Sequence, residues 1–95
     1  MPLYVLVCND KPDSLDLRMK TREAHLAYVR GQAHRLKLAG PLLDAAGDMA
    51  GSLLILEADS LEEAQAFTAA DPYNQAGLFA QVQVLPFKAT LGALA

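Results

Sequence analysis

The sequence predicts an α+β domain, with a four-stranded antiparallel sheet and two helices packed on one of its faces. Three observations lead there. Four stretches have strand character and two have helical period, in the order strand, helix, strand, strand, helix, strand. The chain has 95 residues, enough for one compact domain over residues 1–95, with 89–95 a loose C-terminal tail. And 53% of the residues are hydrophobic against 20% charged, a composition that excludes disorder.

Leu3-Tyr4-Val5-Leu6-Val7-Cys8 is rich in β-branched and aromatic residues and runs into the turn-forming Asn9-Asp10-Lys11-Pro12-Asp13, so it reads as the first strand. From about Ser14 to Lys37 the period becomes helical, with Met19, Leu26, Val29, Ala33 and Leu36 on one stripe. Arg18, Lys20, Arg30, Arg35 and Lys37 lie mostly off that stripe, and Gly40-Pro41 lies beyond the expected end. Leu42-Leu43-Asp44 is a short strand, residues 45–48 a turn, and Gly51–Glu57 a longer strand. Ser60-Leu61-Glu62-Glu63 has the form of a capping box, which starts a helix from Leu61 to about Ala70. Asp71-Pro72 restarts the chain as a cap with proline at the first helical position, and that turn ends near Gly77. Phe79–Phe87 alternates through Gln81, Val82, Gln83 and Val84, a closing strand with one wetter face.

Right-handed crossovers place both helices on one side of the sheet, the ferredoxin-like βαββαβ arrangement. Two strands then pose a problem. Leu3–Cys8 and Leu53–Leu56 are apolar at every position, so both of their faces call for burial, yet helices cover only one. A second copy packed sheet to sheet resolves this, and a homodimer through the sheet face is expected.

Charge and motif content exclude several functions. Eight basic residues against eleven acidic ones give a net charge of -3, which argues against nucleic acid as a partner. No apolar run is long enough to span a membrane. Leu3–Cys8 is too short for a signal-peptide core, so a cytoplasmic location is expected. A single cysteine rules out a disulfide scaffold, and two isolated histidines make no metal site. Glycine-rich nucleotide loops and the common hydrolase motifs are absent, and no cofactor is expected.

The chemistry-bearing candidates are few. His25 falls one position before stripe residue Leu26, about 100° round the helix, at the border of the buried face. A half-buried imidazole there can reach a cleft, though a helix-edge histidine bonded to a carbonyl fits the same position. Asp71 reads as an N-cap, and its second oxygen leaves room to orient His25 as well. Tyr73 either packs or offers a hydroxyl. Gly51 at a strand start would allow close approach of a ligand to the backbone, and Ser52 would add a donor. Arg22, three residues before His25, suits an anionic group or stands solvated.

Together these residues resemble the YCII-related (YciI-like) family. The matching pieces are Tyr4 in the opening strand, Asp10-Lys11-Pro12-Asp13-Ser14-Leu15, Arg22-Glu23-Ala24-His25-Leu26, and Ala39-Gly40-Pro41. Gly51-Ser52, Ala70-Asp71-Pro72-Tyr73, Ala76-Gly77-Leu78 and Val82-Gln83-Val84-Leu85-Pro86-Phe87-Lys88 complete them in the right order. The stretch between Pro41 and Gly51 is shorter than in many relatives, so ligand specificity carried there does not transfer. The resemblance implies a dimeric α+β barrel, similar to muconolactone isomerases and small monooxygenase-like domains. It also implies a His–Asp pair in a cleft, here His25 and Asp71, and dehydrochlorination or lactone-type chemistry in some relatives. The expected function is a small cofactor-independent enzyme moving protons on a small organic acid or lactone-type substrate. His25 and Asp71 are its expected catalytic pair, and Arg22, Ser52, Gly51 and Tyr73 its substrate-binding residues. The alternative is a non-catalytic module that binds a small organic anion on the same fold.

Overall fold

The computed structural model describes residues 2–95; Met1, the first residue of the expected domain, lies outside them. The elements are β1 (Leu3–Asp10), α1 (Leu15–Gly31), β2 (Leu36–Leu43), β3 (Met49–Glu57), α2 (Leu61–Ala70), α3 (Pro72–Gln75) and β4 (Phe79–Phe87). The strands form one antiparallel sheet in the order β2-β3-β1-β4, the ferredoxin-like topology.

Register decides which side chains meet the helices. Tyr4, Leu6 and Cys8 of β1 stand opposite Leu56, Leu54 and Ser52 of β3, and all six are buried. Tyr4, Leu6, Leu54 and Leu56 pack with Ala64 and Phe67 of α2 into the main core. Burying one such Leu or Phe side chain is worth roughly 1.5–3 kcal/mol. Cys8 instead joins Tyr73, Leu78 and Phe79 in a second, smaller cluster. On the far face, Val5 and Val7 pair with Ile55 and Leu53, and Leu85 and Leu38 extend the same apolar surface towards the two edges. Leu38 is 54% and Leu85 47% exposed, so this face is apolar and partly open.

Three expectations about the first half of the chain are corrected. The first helix ends at Gly31, not Lys37. Gly31 and the residues after it tighten into short turns, with Ala33 N–H bonding Arg30 carbonyl and Arg35 N–H bonding Gln32 carbonyl. Arg35 then ties the turn to Gln32 and to Glu63 of α2. The released residues form the edge strand β2, which runs from Leu36 and not only over 42–44. Pro41 is tolerated in it because an edge strand can spare an N–H. The expected stripe holds only in part: Leu26 and Val29 are half-buried, Val29 against the main core, but Met19 is 50% exposed and Leu36 belongs to a strand, and the fully buried α1 residues are Arg18 and His25. Hydrophobic periodicity misses that face because its buried groups are polar ones with partners.

The second half follows its local signals. Ser60 Oγ accepts the Glu63 N–H at 3.1 Å, so half of the capping box forms, while the Glu63 carboxylate turns to Arg35. Asp71 caps α3 by accepting the Tyr73 N–H at 2.9 Å. Gly77 has φ 76°, the left-handed conformation that lets the chain leave α3 and enter β4.

Burial, and next the charge of Asp71, push the Cys8 thiol from its ordinary 9.0 up to about 12. Native protein at pH 8 should therefore resist iodoacetamide, and urea-unfolded protein should be alkylated at Cys8. The same shift couples to stability. As pH rises above about 9 the unfolded thiol ionises while the folded one stays protonated, so the folded state binds more protons. Stability should then fall by about 1.4 kcal/mol per pH unit from this group until pH approaches 12. A Cys8→Ala variant should lack that component between pH 9 and pH 10; an identical slope in both proteins would refute it.

Candidate active site

The site is built where α1 and α3 meet the helix-facing side of β1 and β3. Arg18 and His25 are seven residues apart, two turns of one helix, so both side chains leave α1 on the same face. Asp71 sits at the joint between α2 and α3. That joint is held by Asn74 Nδ2 donating to Thr68 carbonyl and Gln75 Nε2 donating to Ala69 carbonyl. Tyr28 Oη donates to Phe67 carbonyl at 2.8 Å and fixes α1 against α2. Burial raises the Tyr28 pKa, in keeping with a phenol that donates.

His25 Nδ1 lies 2.8 Å from Asp71 Oδ1 and 3.1 Å from Oδ2. Because a carboxylate only accepts, Nδ1 carries the proton in the neutral imidazole and Nε2 is the basic nitrogen. Asp71 thus caps α3 and orients the imidazole at once, one carboxylate performing both tasks. No buried side-chain nitrogen or oxygen lacks a partner among the described residues, and Nε2 has no protein partner, so Nε2 opens to the adjoining cleft. The imidazole is stacked on Tyr73, with ring centroids 4.0 Å apart and planes at 18°.

Beside the pair, Arg18 forms a two-pronged ion pair with Asp10, Nε to Oδ2 at 2.7 Å and Nη2 to Oδ1 at 2.9 Å. The same Nη2 donates to Ser52 Oγ at 2.9 Å, and the guanidinium carbon lies 4.4 Å from the Tyr73 ring centroid. Burial works against the Arg18 charge, but the hydrogen bonds and charge of Asp10 outweigh it and raise the pKa further. Burial also raises the Tyr73 pKa against the pull of Arg18 and Arg22, so the phenol is a donor at neutral pH, not a base.

These groups wall one end of a cleft of about 320 Å³, a size suited to a small organic molecule. His25, Arg18, Arg22, Arg30, Ser52 and Tyr73 line it, and Leu26, Val29 and Leu54 supply its apolar wall. Gly51 does not line it, which corrects its expected role. A Cβ at Gly51 would sit 2.5 Å from the Cys8 carbonyl oxygen and 3.2 Å from Leu42 Cδ1, so the glycine serves close strand packing. His34, the second histidine, is exposed in the turn after α1. Sequence reasoning missed Arg18, Asp10 and Arg30. The available signal was the seven-residue spacing of Arg18 and His25, which places them on one helical face.

Known proteins match this chain over most of its length. The family described as the YCII-related domain matches residues 2–88. Protein YciI from Escherichia coli O6:H1 is 45% identical over 94 residues, covering 90% of this chain and 96% of that protein. Among solved structures, 5-chloro-2-hydroxyhydroquinone dehydrochlorinase from Burkholderia phenoliruptrix AC1100, in complex with 2,5-dihydroxybenzoquinone, superposes with a TM-score of 0.86. It is 38% identical, over 90% of this chain and 93% of its own. An antibiotic biosynthesis monooxygenase superposes at 0.57 with 14% identity, over 96% of this chain and all of its own, a likeness of fold alone.

Proposed function

The chain belongs to the YCII-related family, and from that premise we propose that it is a small enzyme that eliminates or isomerises a small organic acid or lactone-type substrate by proton transfer. One observation supports this above the others: the oriented imidazole, with Nδ1 held by buried Asp71 and Nε2 facing the cleft. In the elimination, Nε2 takes a proton from a carbon next to a carbonyl or, in the keto form of a chlorohydroquinone, from a ring hydroxyl. The electron pair released forms a new double bond, shifted through the conjugated carbons where they intervene, and chloride leaves with the pair of the C–Cl bond. In the isomerisation the imidazolium returns its proton to another carbon. Asp71 stabilises the imidazolium in either case, while Arg18, Arg22 and Ser52 hold the oxygen that gathers negative charge and Tyr73 donates from the side. The likeness to a dehydrochlorinase favours elimination.

Chloride release from 5-chloro-2-hydroxyhydroquinone, beside the Asp71→Asn variant, tests the reading. Asparagine keeps an acceptor at Nδ1 but removes the charge opposite the imidazolium, a difference of about 1–2 kcal/mol between charged and neutral hydrogen bonds. Turnover should drop about 10-fold with KM little changed. Equal turnover in both proteins, or none in wild type, removes the elimination reading.

A second copy packed against the apolar far face of the sheet would cover Leu38, Leu85 and their neighbours. Sedimentation at micromolar concentration should give a homodimer, and a stable monomer would refute this part.

A further inference from the structure

The net charge of the chain is negative, yet no carboxylate lines the cleft. Its charged lining is Arg18, Arg22, Arg30 and, when protonated, His25. These four are not equivalent. Arg18 is matched by Asp10 and His25 by Asp71, whereas Arg22 and Arg30 form no ion pair among the described residues. Arg22 and Arg30 are eight residues apart on α1, about 12 Å along the helix axis, and both line the same cleft. Between them the wall from the helix is Leu26 and Val29, with Leu54 opposite on β3. The order along the cleft is therefore cation, base, apolar wall, cation.

We propose that the cleft takes an elongated organic dianion, with one acidic group at Arg22 beside Arg18 and Ser52, an apolar body along Leu26 and Val29, and a second acidic group at Arg30. This rests on the reading of the cleft as an anion site, and it makes Arg30 a specificity residue that the reaction itself does not need. A substrate with a single acidic group leaves Arg30 without a counter-charge. One with two carboxylates, or a carboxylate and an enolate, spans both cations and places the carbon between them at His25 Nε2.

Calorimetric titration with hexanoate and adipate reads this directly, since the probes share chain length and differ by one carboxylate. Wild type should bind adipate about 10-fold or more tighter, the gain expected of one charge-assisted contact. Arg30→Gln should bring adipate to within about two-fold of hexanoate, while Arg22→Gln should weaken both probes. His25→Gln should keep the adipate preference, because the arginines and not the base create it. That arm separates the two ideas: the preference can hold while Asp71→Asn turns over normally, and it can fail while elimination stands. Equal affinities in wild type, no binding of either probe, or an unchanged ratio in Arg30→Gln would overturn the proposal.

Discussion

Replacing His25 by alanine is expected to lower turnover by about 10²–10⁴-fold, the usual worth of a positioned general base. Of the described groups lining the cleft, the imidazole is the one that can accept a proton, because burial keeps the Tyr73 phenol protonated and the arginine guanidiniums, Arg18 beside Asp10 among them, stay charged. Alanine alone confounds activity with stability. It removes the Nδ1–H donor and leaves the Asp71 carboxylate, 2% exposed, with the Tyr73 N–H as its remaining partner. It also removes the ring stacked on Tyr73. His25→Gln separates the two effects, since its amide can donate to Asp71 but takes no proton. Both variants should lose turnover, and the glutamine variant should be the more stable in urea. Turnover within about three-fold of wild type in both would remove His25 as the base.

Arg18→Met is expected to destabilise the fold by about 3–5 kcal/mol, the cost of breaking a buried ion pair from one side. The side chains of Arg18 and Asp10 are 2% and 5% exposed. Methionine fills much of the volume but leaves the Asp10 carboxylate buried without its two donors, and Ser52 Oγ without its own. It also takes the charge off the Tyr73 ring face. The double variant Asp10→Leu with Arg18→Met should recover much of the loss, because no uncompensated charge remains. Urea unfolding of the wild type, the two single variants and the double variant measures the coupling. A loss below about 1 kcal/mol in Arg18→Met would show that water reaches the pair.

The buried Arg18–Asp10 pair bears on how much of the site could be read from the chain. His25 and Asp71 carry local signals: one borders a helical stripe and the other precedes a proline as a cap. Their 46-residue separation gives no hint of contact, and the resemblance to a family strengthened a pairing that the residue types only allowed. Arg18 and Asp10 carry misleading signals. A basic residue off the apolar stripe reads as solvated, and an aspartate in a turn-forming run reads as a turn. Each is buried only because the other is present.

The sequence by itself determined the element order, the capped starts at Ser60 and Asp71, and the two strands apolar on both faces. Those features depend on neighbours within a few residues, where backbone propensity, side-chain capping and the two- or 3.6-residue period act. Tertiary structure alone decided three others. It ended the first helix at Gly31, because residues 36–43 gain more by pairing with β3 than by continuing a helix. It turned Gly51 into a packing residue under Leu42 and the Cys8 carbonyl. And it made Arg18 part of the cleft, because the penalty for burying a charge is offset only where a counter-charge, here Asp10 at the end of β1, is brought into place.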